Sequence, residues 1–160
     1  MFETRIDLAP SARRNVIPIL QGNLSDAVDL FTQIKQAHWN VKGPTFIALH
    51  EFFDRIAETV EEHADLIAER ITALGGRADG TARVVAAQSR LTEYPLGAVD
   101  GPEHVVAVAD ALARFGKGAR AGIDGAAELG DADTADVLTE ISRAVDKQLW
   151  FVEAHLGGER

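Results

Sequence analysis

Apolar residues recur along this chain in steps of three and four, the spacing of one face of an α-helix. From about Asn15 to His38 they fall at Ile17, Leu20, Leu24, Ala27, Phe31 and Ile34. Pro18 then belongs in the first turn, where a missing amide donor does no harm. Gly43 and Pro44, within NVKGPT, break the pattern. A second stripe (Phe46, Leu49, Phe53, Ile56, Val60, Ala64, Ile67, Ile71, Leu74) predicts a helix from about Thr45 to Leu74, ended by a left-handed glycine at Gly75 or Gly76. A third helix is expected from near Pro102 to about Glu128, weakened by Gly116, Gly118, Gly122 and Gly125. The fourth carries Val137, Leu138, Ile141, Val145, Leu149, Val152 and Leu156, with Asp131 or Asp133 as its cap and Gly157-Gly158 as its stop.

Residues 77–101 connect the second and third long helices and hold one candidate short helix, TARVVAAQSR. Four long helices with one long crossover describe an all-α, ferritin-like four-helix bundle with a short helix between helices 2 and 3. An up-down bundle with a structureless middle loop is the simpler alternative. So long a loop would be unusual inside a compact domain, which favours the crossover. The length suits one domain spanning 1–160, with 1–14 as an N-terminal extension.

The composition supports helices: 46% of residues are hydrophobic but only 6% aromatic. Cysteine is absent, which excludes disulfides, thiol catalysis and zinc ribbons. The N-terminal stretch MFETRIDLAPSARRNV lacks the apolar run of a secretory signal, and no segment approaches the ~18 apolar residues of a membrane span. A soluble cytoplasmic protein is expected. The net charge of −9 disfavours polyanionic partners unless cations cluster, and the four lysines, Lys35, Lys42, Lys117 and Lys147, are scattered. An acidic surplus often serves only solubility; a divalent cation as cargo is the sharper reading.

Candidate chemistry sits in LHEFFDRIAETVEEHADLIAER, residues 49–70. His50 and Asp54 stand one helical turn apart, and so do Asp65 and Glu69. At 3.6 residues per turn, Asp54, Asp65 and Glu69 lie roughly 40°, 60° and 100° round from His50, while the apolar stripe centres near about −80°. All four share a flank that faces away from the subunit's own core. Asp54 and Glu69 are roughly 22 Å apart along the axis at 1.5 Å per residue, so one chain cannot wrap both pairs round one ion. An antiparallel copy of the helix, related by a two-fold axis near Thr59 and Val60, would bring the pairs together and make two identical sites. A solvated acidic flank that also includes Glu51, Glu58, Glu61 and Glu62 is the competing reading. His38 alters the balance, because it occupies an inward position of the first stripe. With His50 and Asp54 it supplies two imidazoles and a carboxylate, a set suited to iron, manganese or zinc.

KQAHWNVKGPTFIALHEFFD followed by DLIAERITALGG closely resembles the Dps-type mini-ferritins, the DNA-binding proteins from starved cells. The strongest likeness covers residues 35–76, and DKQLWFVEAHLG near the end is similar in its place and length. The resemblance implies a ferroxidase centre of His38, His50 and Asp54 from one subunit with Asp65 and Glu69 from its two-fold mate. It also implies a hollow homododecamer that oxidises Fe(II) with hydrogen peroxide or oxygen, stores ferric mineral and protects against oxidative damage; zinc or manganese can substitute for iron. Trp39 matches a tryptophan that assists redox chemistry beside the centre. Acidic pores that admit ions would involve Glu128, Asp131, Asp133 and Asp136, with Asp136 the best match, although Asp131 and Asp133 equally suit helix capping.

The chain departs from relatives that bind DNA through lysine-rich tails. Its N-terminal region offers Arg5, Arg13 and Arg14 against Glu3 and Asp7, and its C-terminus only Arg160, so weak or absent DNA binding is expected. A metalloprotease reading of HEFFD fails because Asp54 stands where the second histidine of H-E-x-x-H is needed. The E-x-x-H pairs of full-size ferritins are missing too. A purely structural helical oligomer remains the other reading. His63, His104 and His155 lack partners at ligand spacing and read as surface or structural residues.

Overall fold

The computed structural model describes residues 1–157; Gly158 and Arg160, singled out above, lie outside them. The chain forms α1 (Pro10–Asn40), α2 (Phe46–Ala73), α3 (Ala82–Gln88), α4 (Gly101–Glu128) and α5 (Ala132–Glu153), then a short 3-10 turn over Ala154–Leu156. The four long helices make a ferritin-like bundle, and α3 lies in the crossover between α2 and α4. Helix α1 packs against α2, α4 and α3, and α4 packs against α5.

Helix α1 begins earlier than its apolar stripe indicates. Pro10 occupies its first turn, the position where proline's fixed φ helps, and Pro18 lies inside the helix rather than at its start. Pro18 is exposed, as is Arg14, whose carbonyl loses its helical donor on the solvent side, where water can reach it. The stripe itself shifts: Leu30 is fully buried whereas Phe31 is only partly so. Phe46 leaves the expected core, at 42% exposed, because it opens α2 beyond the seam with α1 and tilts against the His50 ring at 5.1 Å.

Polar side chains of α1 fasten the crossover. The buried Asp26 carboxylate accepts from the Arg90 amide at 2.8 Å, from Arg90 Nε at 2.9 Å and from Arg90 Nη2 at 2.6 Å. Gln33 Nε2 donates to the Thr92 carbonyl at 3.0 Å, and Gln21 Nε2 to the Asp79 carbonyl at 2.8 Å. This explains why Asn23, Leu24, Ser25, Asp26 and Ala27 are buried without a break: helices cover one side of α1 and the crossover covers another.

Helix α4 starts with a capping box. Asp100 accepts from the Glu103 amide at 3.0 Å, and Glu103 accepts in return from the Asp100 amide at 3.2 Å. Its glycines weaken the isolated helix but permit close approach: a Cβ on Gly122 would stand 2.7 Å from Leu138, and one on Gly125 would stand 2.9 Å from Ile19. Gly75 ends α2 at φ +83° and accepts at its carbonyl from the Phe2 amide at 2.6 Å. Arg13 is buried and donates to the Leu74 carbonyl at 3.1 Å, so it joins this end of the bundle and is not free to meet a phosphate.

His63 is 5% exposed, and its Nδ1 has no hydrogen-bond partner. Burial without a partner pushes its pKa down to about 4. The unfolded chain therefore takes up a proton near the ordinary value of 6.5, while the folded chain resists until about 4. The stability this group allows is intact above pH 6.5 and falls as pH drops toward 4, by about 3 kcal/mol. His63→Leu is expected to flatten the acid side of the thermal-stability profile in that window, as read from unfolding midpoints across pH.

Candidate metal centre

His38 lies in the last turn of α1 and His50 in the first turns of α2, and each is held by the other's backbone. His38 Nδ1 donates to the His50 carbonyl at 2.7 Å, and His50 Nδ1 donates to the His38 carbonyl at 2.8 Å. The rings stack with centroids 3.8 Å apart. A carbonyl only accepts, so each Nδ1 must carry the hydrogen, and each neutral ring keeps its lone pair on Nε2. This backbone support fixes tautomer and direction together, as ligating histidines require.

Asp54, one turn beyond His50, brings Oδ1 to 3.9 Å from His38 Nδ1 and to 2.5 Å from Lys35 Nζ. The hydrogen bond from Lys35 holds the Asp54 carboxyl below its usual range, with the two histidines adding to the effect and desolvation opposing it. Lys35 is the site residue that ligand spacing missed. It lies three residues before His38, and that helical interval already puts it on the same face. His38, Ile47, His50, Asp54, Arg55 and Glu58 line an open cleft.

Asp65 and Glu69 are exposed on α2 and are not brought to this cleft by their own chain. Asp65 borders a second cleft with Leu24, Glu58, Glu61, Glu62 and Ala68. Glu58 borders both clefts, so a continuous acidic flank joins the two ligand pairs. Among the described residues, no three His, Asp or Glu side chains of one chain are arranged to hold a metal ion by themselves.

Trp39 follows His38 but is 66% exposed, with Lys35 Nζ 6.0 Å from its ring centroid. It lines a different groove, between α1 and the crossover, with Gln36, Val85 and Tyr94. Of the acids expected at an ion pore, Asp131 is 3% exposed and fully committed. It accepts from the Thr134 amide at 3.0 Å and Thr134 Oγ1 at 2.6 Å, capping α5, and from Arg70 Nη2 at 2.6 Å. Glu128, Asp133 and Asp136 remain exposed at this corner. His104 is buried and contacts Tyr94, while His155 is exposed and stacks on Phe52 at 5.1 Å.

Comparison with known proteins agrees with this architecture. The ferritin-like domain profile matches residues 17–160. The DNA protection during starvation protein of Agrobacterium fabrum is 41% identical over 157 residues, covering 96% of this chain and 95% of that protein. A Mycobacterium smegmatis Dps structure superposes with a TM-score of 0.92 at 31% identity, covering 99% of this chain and 96% of that one. Dps from Microbacterium arborescens, solved in a high iron form, gives 0.85 at 33% identity, covering 92% and 96%. The chain belongs to the ferritin-like family, in its DNA-protection-during-starvation branch, a group concerned with iron storage and protection.

The Lys35 ammonium holds the Asp54 oxygen for which a cation bound in this cleft would compete. Lys35→Met is expected to tighten Zn(II) binding about tenfold, the low end of what one unit charge exerts at ~4 Å under protein-like screening. Isothermal titration of the two proteins with zinc checks it, and equal affinities would mean that the ammonium moves aside without cost.

Proposed function

We propose that the protein is a ferroxidase and iron store whose catalytic sites form between two-fold-related subunits. In this reading His38, His50 and Asp54 of one subunit face Asp65 and Glu69 of its mate. The observation that carries it is the reciprocal histidine clasp: two imidazoles are pinned with Nε2 free, beside a carboxylate, on a flank the subunit's own core does not use. An imidazole needed only for packing does not require its outer nitrogen to be kept free, and two such rings side by side suit a shared cation. The high iron form of the Microbacterium arborescens relative supports iron as that cation.

Iron enters here as substrate and cargo. Carboxylates favour Fe(III) over Fe(II), since the harder and more highly charged ion gains more from anionic oxygens, and that difference turns binding into oxidation. In this reading Glu69 would bridge two irons, with Asp54 and Asp65 as end ligands. Lys35 leaves Asp54 as the first iron binds, and Arg55 and Glu58 at the cleft border set the local charge. Hydrogen peroxide is the proposed oxidant, with oxygen as the slower alternative. Twelve subunits would enclose the ferric mineral, and exposed Asp133 and Asp136 would draw Fe(II) inward through acidic pores. Trp39 would serve as an auxiliary electron donor. Zinc or manganese would occupy the same ligands without the same redox outcome.

DNA affinity is proposed to be weak. Arg13 is withdrawn into the fold, which leaves Arg5 and Arg14 in a segment that also carries Glu3 and Asp7, on a chain of net charge −9.

Glu69→Ala or His50→Ala alone is expected to slow peroxide-driven Fe(II) oxidation at least about tenfold, a small part of what a metal ligand contributes. Shells reassembled from an equal mixture of the two variants should regain about a quarter of the wild-type sites, because each mixed dimer holds one intact site. Stopped-flow oxidation rates read this directly; no recovery on mixing would place all the ligands within one chain. In a gel shift at ~50 mM salt the protein should leave duplex DNA unretarded.

A further inference from the structure

Tyr94 is the single tyrosine of the chain, and its hydroxyl lies 2.5 Å from His104 Nδ1. His104 is 1% exposed, and its Nε2 has no hydrogen-bond partner although the Asn40 carbonyl faces the ring. From the pair's position beside α1 and its bonding, we propose that Tyr94 and His104 form a proton-coupled redox site that donates one electron to oxidants generated at the metal centre.

Three features favour this over a simple clasp between crossover and α4. The Tyr94 phenol is pushed up to about 12 by burial, so a free phenolate is not available and its electron leaves only if the proton leaves too. Burial holds the His104 imidazole in its neutral form, with Nδ1 open to receive that proton. The resulting imidazolium would direct Nε2–H toward the Asn40 carbonyl, and the charges of Asp100 and Glu103 act on the ring to favour its cationic form.

The location is equally specific. Asn40 is two residues beyond the ligand His38, roughly 3 Å further along the helix axis. Tyr94 and Trp39 line the same groove, together with Gln36 of α1. The groove thus sets Tyr94 beside the end of α1 that carries Trp39 and His38.

The iron-driven step rests on the ferroxidase reading and balances as follows. When a site holds one Fe(II) and meets hydrogen peroxide, Fe(II) gives one electron and Tyr94 the other. The O–O bond breaks and both oxygens leave as hydroxide, while the phenolic proton stays on His104 as the imidazolium. The products are Fe(III) and a neutral tyrosyl radical. A later Fe(II) returns the electron, and a proton from His104 restores the phenol. Peroxide meeting a half-filled site is thus reduced by two electrons and releases no hydroxyl radical.

The test uses the assembled protein and two oxidants. Azidyl radicals from pulse radiolysis, which oxidise tryptophan first, should give a tryptophanyl signal that decays into a tyrosyl signal. Tyr94→Phe, which removes only the hydroxyl, should abolish the second signal, and Trp39→Phe should diminish it. His104→Asn should slow its appearance by about a hundredfold, the low end of what a positioned base contributes. With one Fe(II) per site and excess peroxide, freeze-quenched samples should show the same tyrosyl resonance by electron paramagnetic resonance. Tryptophanyl decay without any tyrosyl signal in the wild type overturns the proposal. So does iron oxidation with the radical located only elsewhere. A tyrosyl signal from azidyl radicals together with no iron oxidation at all would uphold the pair and overturn the ferroxidase reading instead.

Discussion

Two backbone carbonyls set the geometry of the candidate metal centre. Those of His38 and His50 each take the other ring's Nδ1–H, so α1 and α2 are joined by the same bonds that aim the two Nε2 lone pairs outward. Neither ring can turn without breaking a bond to the neighbouring helix. The break between the helices at Gly43, with φ +110°, lets α2 fold back close enough for the exchange. The remaining candidate ligands need no such support. They project from the exposed flank of one straight helix, and their positions follow from its pitch.

The crossover is the second determinant. Asp26 receives three bonds from Arg90, Gln33 holds the Thr92 carbonyl, and Ser89 donates to Asp29 at 2.5 Å. These polar contacts keep the segment after α3 along α1 up to the turn before α4. Tyr94 is thereby delivered to His104, and the capping box at Asp100 starts α4 beside the first turn of α2. A Cβ on Gly101 would stand 2.8 Å from Leu49, so this junction is as tight as the core. The candidate ligands His38 and His50 and the Tyr94–His104 pair thus share one end of the bundle through separate hydrogen-bond systems.

Most of this architecture was legible in the residue pattern, because long amphipathic stripes state helix number and facing directly. The short helix in the crossover and the left-handed glycine at Gly75 were legible for similar reasons. Three features were not. Pro18 obscured the true start of α1, since an exposed proline is tolerated where water can serve the orphaned carbonyl. Lys35 was overlooked because a cation does not ligate, although its helical interval from His38 was visible. Asp131 was legible as a candidate cap of α5, but not the Arg70 contact: only the structure shows both of its oxygens committed to Thr134 and Arg70. Burial and pairing are three-dimensional facts that a spacing rule leaves open.

The glycines of α4 carry a consequence for how the molecule yields under stress. A helix with four interior glycines has little tendency to persist in isolation, so α4 owes its shape to being pressed between Ile19 of α1 and Leu138 of α5. Loosening that seam by even one methyl group would withdraw the contact on which the helix relies. The hairpin that bears His38 and His50 is secured by its own cross-bonds. Fraying would therefore start in α4 rather than in the hairpin of α1 and α2.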